Sequence, residues 1–204
     1  MKNLLAIIFC FVTSINLSFA KEYDVFTLQG DTLIYDTGDV DIKEDDYYNL
    51  KEILLENDGI KTIQLKSYGG DLLTANAMGD LIIDFELNTH VVGACESACT
   101  NIFIAGEKRT LERGSKLGFH RAYLEVDLVR EDYTLFKDEM GWEDEFDLAV
   151  YMYDIGMDDA FTELKLLLER GVDAEFAIRT LSTESDGMWY PRRKELIEAN
   201  LITE

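Results

Sequence analysis

Two consecutive strand–turn–helix units in the middle of the chain constrain its fold most. In residues 60–86, a short strand (IKTIQLKS) precedes a turn containing Gly69 and Gly70 and then a helix (DLLTANAMGDLIIDFE) with apolar residues at helical spacing. In residues 89–106, a buried strand (THVVGAC) leads through a turn at Ser97 into an apolar helix (ACTNIFIAG). Strands and helices that alternate in this order predict an α/β domain.

The flanking segments extend this pattern. YDVFTLQGDTLIYDTGDV predicts a hairpin, EDDYYNLKEILLEND a helix, and two short strands follow around Thr110 and in SKLGFH. Residues 121–168 are rich in acids and aromatics and predict a helical, acidic excursion from the core, with helices around 131–140 and 158–169. DAEFAIRTLS predicts another short helix, and RRKELIEANLIT a helix that leads into a terminal strand.

The first twenty residues, MKNLLAIIFCFVTSINLSFA, have the pattern of a secretory signal peptide. One lysine precedes an apolar run, and a small-x-small cleavage site ends at Ala20. The run is about half the roughly 20 residues that span a bilayer, so we expect no stable membrane insertion after its removal. We therefore expect an exported, periplasmic protein. Residues 21–204 (204 minus 20, or 184 residues) are enough for a single domain with one core.

The mature chain is strongly acidic. The signal removes one of the 19 basic residues and none of the 41 acidic ones, which leaves 18 against 41, or −23. Such a charge repels phosphate backbones and anionic lipid, so we expect no nucleic-acid partner. Neither DTGDVDIKEDD nor EDEFD has the oxygen spacing of an EF-hand loop, and we predict neither a metal nor a cofactor.

Ser97 is the candidate nucleophile. A serine attacks a carbonyl only if a base removes its proton, and the chain contains just two histidines. His90 lies in an apolar strand pattern and is predicted to be a packed core residue, which makes His120 the better base. An α/β-hydrolase is disfavoured, because its elbow needs small residues where Cys95 and Cys99 stand, and its histidine comes last in the chain.

Backbone N–H groups complete this candidate site. The amides of the turn at Gly69 and Gly70, and of Ala98 after the serine, could face a developing oxyanion.

Two other sites stay open at this level. His90, His120, Cys95 and Cys99 carry two nitrogens and two sulfurs that zinc accepts, although their spacings match no common zinc site. YDTG at residues 35–38 shares Asp-Thr-Gly with aspartic proteases, but beside a hairpin it predicts a turn.

Three motifs together resemble a known family. SYGGDLLTANAMGDLI, VVGACESACTNIFIAG and LGFH resemble the Clp protease proteolytic subunit and its ClpP/crotonase superfamily, closest to exported ClpP-like proteins of bacteria with two cysteines around the serine. The resemblance covers about residues 60–122 and, more loosely, the C-terminal end. It implies a core of repeated strand–strand–helix units and peptidase chemistry. The implied site residues are nucleophile Ser97, base His120, and oxyanion amides of Gly69, Gly70 and Ala98.

The resemblance also implies an acid that orients the histidine, shortly before the C-terminal helix. Asp186 is the nearest carboxylate, whereas a gapless match puts Met188 at that position. Tyr68 replaces the usual proline of the glycine turn. Glu96 places a carboxylate beside the nucleophile, which would oppose a developing anion unless the side chain points away.

The predicted function is that of an exported serine hydrolase, specifically a peptidase, that acts on a peptide or protein substrate. The alternative is a ClpP-like binding or structural protein that has lost efficient turnover. An exported protein has no nucleotide supply, so no ATPase partner is expected, and a homo-oligomer stays open.

The two cysteines left after signal removal predict a bridge. Cys95 is expected on the strand side of the nucleophile turn and Cys99 in the first helical turn, where a disulfide would brace Ser97. Two buried thiols are the alternative.

Overall fold

A six-stranded sheet organises the protein in a computed structural model that describes residues 24–203. The predicted signal peptide and its cleavage site lie outside the described residues. The strands are β1 (Phe26–Gln29), β2 (Thr32–Asp36), β3 (Thr62–Ser67), β4 (Asn88–Glu96), β5 (Arg109–Leu111) and β6 (Lys116–Gly118). The helices are α1 (Glu44–Glu56), α2 (Leu72–Asp84), α3 (Cys99–Ile104), α4 (Val126–Met140), α5 (Glu145–Glu169), α6 (Ala174–Ser182) and α7 (Arg193–Glu198).

The sheet is mostly parallel, as the strand–helix alternation predicts. β1 and β2 form the predicted antiparallel hairpin, and the order then runs β2, β3, β4 and β5 with parallel pairing. β6 pairs with the last residues of β4, from Ala94 to Glu96, whereas β5 pairs with its first residues. β4 therefore ends between β3 and β6, and the turn that carries Ser97 lies where these strands meet.

One face of the sheet packs against helices and forms the core. Alternate strand residues such as Leu33, Ile63 and Val91 are almost fully buried, and Met78 of α2 and Ile102 of α3 are buried with them. Each such side chain contributes about 1.5–3 kcal/mol when it leaves water. This layer holds the nucleophile turn because α3 begins immediately after it.

A register shift redirects the end of β4. Leu65 pairs with Val91 and Ser67 with Cys95, so β4 uses four residue steps where β3 uses two. Gly93 lies inside this irregularity with φ +90, a conformation that favours glycine. The bulge re-aims the last residues of β4 toward the glycine turn that follows β3.

The acidic excursion forms two helices that are longer than predicted. α4 ends at Gly141, whose left-handed φ of +72 stops the helix, and α5 starts after Asp144, which accepts a hydrogen bond from the N–H of Phe146. The predicted helices around 131–140 and 158–169 are only the C-terminal parts of α4 and α5. The segments before them are crowded with carboxylates and exposed apolar residues, which hides their helical spacing.

The predicted terminal strand is wrong. Leu201 and Ile202 are buried after α7 but form no strand. The Arg109 side chain donates to the carbonyl oxygens of Asn200 and Leu201, and the Thr203 N–H donates to the Arg109 carbonyl. A buried guanidinium thus satisfies backbone groups that a strand ladder would otherwise pair.

Within residues 24–203, no helix combines the length and the apolar character that a bilayer crossing requires.

Candidate active site

Ser97 occupies a strained turn between β4 and α3. Its φ is +53, in the left-handed region that non-glycine residues rarely adopt. The Ser97 N–H donates to the Gly118 carbonyl at 2.9 Å, and its carbonyl accepts from the N–H and hydroxyl of Thr100. These hydrogen bonds hold the backbone of the turn on both sides, so that Ser97 stays at the end of β4.

The Ser97 hydroxyl and the His120 ring are in direct contact. Ser97 Oγ lies 2.7 Å from His120 Nε2, which is within the distance that the predicted pair requires. His120 follows the short strand β6, and the pairing of β6 with the end of β4 brings the two residues together. A neutral imidazole in this position can accept the serine proton.

The glycine turn lies against the nucleophile. A Cβ at Gly69 would come within 2.7 Å of Ser97 Cβ, and one at Gly70 would overlap the backbone nitrogen of Ile42. Both glycines have positive φ, +104 and +138. Residue 69 must therefore be small because it packs on the serine, and residue 70 because it packs on the chain before α1.

Two amides near the serine have no backbone acceptor. Within the described part of the chain, neither the Gly70 N–H nor the Ala98 N–H donates to a neighbouring backbone carbonyl. The Gly69 N–H, in contrast, donates to the Ser67 hydroxyl at 3.2 Å. Gly70 and Ala98 are thus the better candidates for oxyanion donors, and Gly69 instead allows the close approach.

The Glu96 carboxylate, next to the nucleophile in sequence, is bound by the side chains of Lys116 and Tyr190. It forms an ion pair with Lys116 Nζ at 2.7 Å and accepts a hydrogen bond from the Tyr190 hydroxyl at 3.0 Å. The Lys116 ammonium also lies over the Tyr190 ring, 4.3 Å from its centroid. The hydrogen bond to Glu96 raises the pKa of Lys116. A cation therefore offsets the negative charge beside the nucleophile.

Sequence reasoning missed Lys116 and Tyr190. Their meeting depends on the parallel register of Ala94 with Lys116, and on Tyr190 arriving from a distant segment. Gly118 also lies at this meeting point. A Cβ there would meet Met188, Tyr190 and Glu96 at about 3 Å, so only glycine leaves room for these side chains.

The structure does not bring Asp186 to His120. Asp186 is exposed, and His120 Nδ1 is buried with no hydrogen-bond partner among residues 24–203. Phe119 and Trp189 form an antiparallel bridge, which places Met188 beside His120 in the backbone. The Met188 sulfur lies next to Gly118, where an added Cβ would come within 2.9 Å of it. Among the described residues, Ser97 and His120 contact each other directly, and Asp186 makes no hydrogen bond to His120, contrary to the orienting role predicted for Asp186.

Cys95 and Cys99 are joined by a disulfide, which confirms the predicted bridge. Their Cα atoms are 5.3 Å apart, within the usual range, with Cys95 at the end of β4 and Cys99 at the start of α3. Both residues are fully buried around Ser97. The bridge leaves them no thiolate for zinc.

His90 and residues 35–38, which were also candidates in the sequence, lie outside the site and make local hydrogen bonds. His90 is only half-buried, on the face of the sheet opposite α1–α3, and its Nδ1 lies 2.7 Å from the Thr110 hydroxyl. The prediction of a packed core histidine is wrong, because polar side chains line that face. The predicted turn at residues 35–38 is present, with the Gly38 N–H donating to the Asp36 carboxylate.

Comparisons with known proteins identify the fold through structure alone. No family model matches the sequence, and no curated protein matches it. A mutant ClpP1 from Listeria monocytogenes has a similar structure, with a TM-score of 0.56 and 16% sequence identity over 86% of this chain and 90% of that chain. An identity this low shows the architecture and no activity. The chain has an α/β, ClpP-like fold.

Proposed function

We infer that this protein is an exported serine hydrolase that cleaves peptide bonds. The 2.7 Å contact between Ser97 Oγ and His120 Nε2, at a turn with strained backbone, is the observation that carries the proposal. His120 removes the hydroxyl proton as Ser97 attacks a carbonyl carbon, and later donates it to the leaving amine. The N–H groups of Gly70 and Ala98 stabilise the negative charge on the carbonyl oxygen.

The charges around the turn favour this reaction. A free carboxylate beside the nucleophile would oppose the developing anion, and Lys116 balances Glu96. The motifs around Ser97 resemble those of ClpP-type peptidases, and the chain has a ClpP-like fold. Both support peptide substrates over other acyl compounds.

Labelling with a fluorophosphonate probe tests the nucleophile. The mature protein should react covalently, and Ser97→Ala should abolish the reaction. Ser182→Ala, at the exposed end of α6, is the matched control and should label like the parent protein. Labelling that survives Ser97→Ala would refute the assignment.

Hydrolysis of an unfolded protein such as fluorescein-labelled casein tests the substrate class. His120→Ala should lower the rate by about 10³-fold or more, because a triad-type base contributes on that order. Cleavage of esters without any cleavage of casein would retain the nucleophile and reject the peptidase.

The unpartnered Nδ1 of His120 favours a second candidate, a ClpP-like binding protein with weak turnover. Such a protein would not label with the fluorophosphonate and would still bind unfolded casein.

Export rests on the signal pattern of residues 1–20, and N-terminal sequencing of the mature protein should find a start near Lys21.

A further inference from the structure

Helix α5 carries a row of large apolar side chains that no part of the described chain covers. Phe146, Val150, Tyr153, Met157 and Phe161, here called the α5 stripe, recur at intervals of three or four residues and so share one helix face. Their exposed fractions run from 56% at Met157 to 78% at Phe146. Clustered exposure of this kind marks interaction surfaces, whereas single exposed apolar residues are ordinary.

The α5 stripe lies on the same helix face as residues nearer the C-terminus of α5 that pack against the core. Leu164 is three residues beyond Phe161 on the same side of the helix, and it packs against the hydrophobic core. Leu167 in the same turn is fully buried, and the Arg170 side chain donates to the carbonyls of Ile104 and Ala105 at the C-terminal end of α3. The C-terminal end of α5 is therefore anchored, and its N-terminal part extends the same face beyond the core.

The two sides of the stripe differ in chemistry. Asp147, Asp154 and Asp158 follow it along one side. Ala149 and Gly156 lie along the other, and space is open where a Cβ of Gly156 would be. A glycine inside an exposed helix costs about 1 kcal/mol relative to alanine. Small residues there allow another backbone to approach closely.

The charge of α5 decides which partner fits. The helix has seven acidic residues and one lysine, a net charge of −6, and the mature chain as a whole carries −23. Within residues 24–203, neither Asp154 nor Asp158 forms an ion pair. Burial and the neighbouring Asp158 raise the pKa of Asp159, as expected where carboxylates crowd together. A second copy would add like charge to this surface, whereas a cationic partner would offset it.

We propose that the α5 stripe is a docking surface for a basic amphipathic helix of another protein. The partner's apolar face packs on the five stripe residues, and its lysine or arginine side chains pair with Asp147, Asp154 and Asp158. The stripe spans 15 residue steps, or about 22 Å, which matches a partner helix of about 16 residues. This surface is separate from the Ser97 site and does not depend on the proposed catalysis.

A synthetic peptide tests the proposal on the mature protein. The probe is a fluorescein-labelled peptide of about 16 residues, with leucines at the spacing of one helix face and lysines elsewhere. Its control has the same composition with the leucines scattered. Fluorescence anisotropy should show the amphipathic peptide binding at least about tenfold more tightly than the scattered one. Equal binding would overturn the proposal, because charge alone would then explain it.

Matched variants locate the binding surface. Tyr153→Ser combined with Met157→Ser should weaken binding at least about tenfold, and Asp154→Asn with Asp158→Asn should weaken it and reduce its salt dependence. Tyr48→Ser with Leu55→Ser is the control, since these α1 residues are similarly exposed, at 57% and 69%. Stripe variants that bind like the parent protein would overturn the proposal.

Two further measurements need no variant. Amide hydrogen exchange of the parent protein should slow across residues 146–161 when the amphipathic peptide binds, and protection confined to another element would overturn the proposal. Light scattering should show that the protein alone does not associate through this face. A dimer that Tyr153→Ser with Met157→Ser converts to monomer would assign the stripe to a second copy instead.

Discussion

At the scale of single residues, the two ring nitrogens of His120 have different surroundings. Nε2 contacts the Ser97 hydroxyl, and Nδ1 is buried without an acceptor among the described residues. The Tyr123 ring lies 5.8 Å from the imidazole, centroid to centroid, and limits its motion on one side. Packing rather than a carboxylate therefore orients the ring.

Asp186→Asn should accordingly leave fluorophosphonate labelling within about twofold of the parent rate, whereas loss of a true triad acid costs about 10⁴-fold. The rate of labelling measures the difference. A fall of about 10²-fold or more would mean that the Asp186 carboxylate reaches His120 during the reaction.

Lys116→Met should lower both stability and Ser97 reactivity. It leaves the Glu96 carboxylate, whose side chain is 10% exposed, without its cation. Because Lys116 itself is half-exposed, we expect a loss of about 1–2 kcal/mol in the free energy of unfolding. Chemical denaturation and the labelling rate measure the two effects.

The double variant with Glu96→Gln is the control for that experiment, since it removes the unpaired charge. It should recover most of both losses. A double variant as impaired as Lys116→Met alone would assign the effect to lost packing on Tyr190.

At the scale of elements, the junction of β4 and α3 combines a disulfide with a strained serine. Replacing Cys95 and Cys99 by alanine should lower the free energy of unfolding by about 2 kcal/mol, from the loop-closure entropy of a short loop. Thermal unfolding measures the loss.

Alkylation of unreduced protein from the exported compartment should modify neither cysteine, and two modified thiols would contradict the bridge.

Helix α5 contains a carboxyl group whose ionisation opposes folding at neutral pH. Burial raises the pKa of Glu163 to about 7 from 4.5, and Asp159 adds to the shift. The folded state therefore holds a proton that the unfolded state releases, and stability falls as pH rises from about 4.5 to about 7. Glu163→Gln should unfold about 2–4 °C above the parent protein at about pH 8, equivalent to about 1 kcal/mol.

That difference should vanish at about pH 4, where both folded and unfolded Glu163 are protonated. Thermal unfolding across pH gives the comparison. A gain that is equal at both pH values would reflect packing of the amide rather than the titration of Glu163.

At the scale of the whole molecule, self-repulsion among the −23 charges of the mature chain opposes the compact state. Raising NaCl from about 10 mM to about 200 mM at neutral pH should raise the unfolding temperature by about 2–4 °C, because the screening length falls well below the molecular diameter. The same step near the isoelectric point of about 4.3 should have little effect. An equal rise at both pH values would indicate a charge-independent effect of the salt.

Much of the fold could be predicted because its signals are local. The hairpin, the strand–turn–helix order and the glycine turn depend on neighbours a few residues apart, and the structure has each of them. The first third of α4 and the first half of α5 were missed because most of their apolar residues face solvent and not the core. The terminal strand was wrong because a distant arginine satisfies that backbone.

The chemical groups of the candidate site are evident from the sequence: a serine at a strand–helix turn, a histidine after a later strand, two glycines upstream and two cysteines close enough to bridge. The distances between these groups follow from how the chain folds. The Ser97–His120 contact and the Lys116–Glu96 ion pair depend on the register between β4 and β6. The burial of His120 Nδ1 without a hydrogen-bond partner among the described residues, and the exposure of the α5 stripe, depend on which segments cover them. Strand register and coverage are set by contacts between residues far apart in the chain, and local spacing does not encode them.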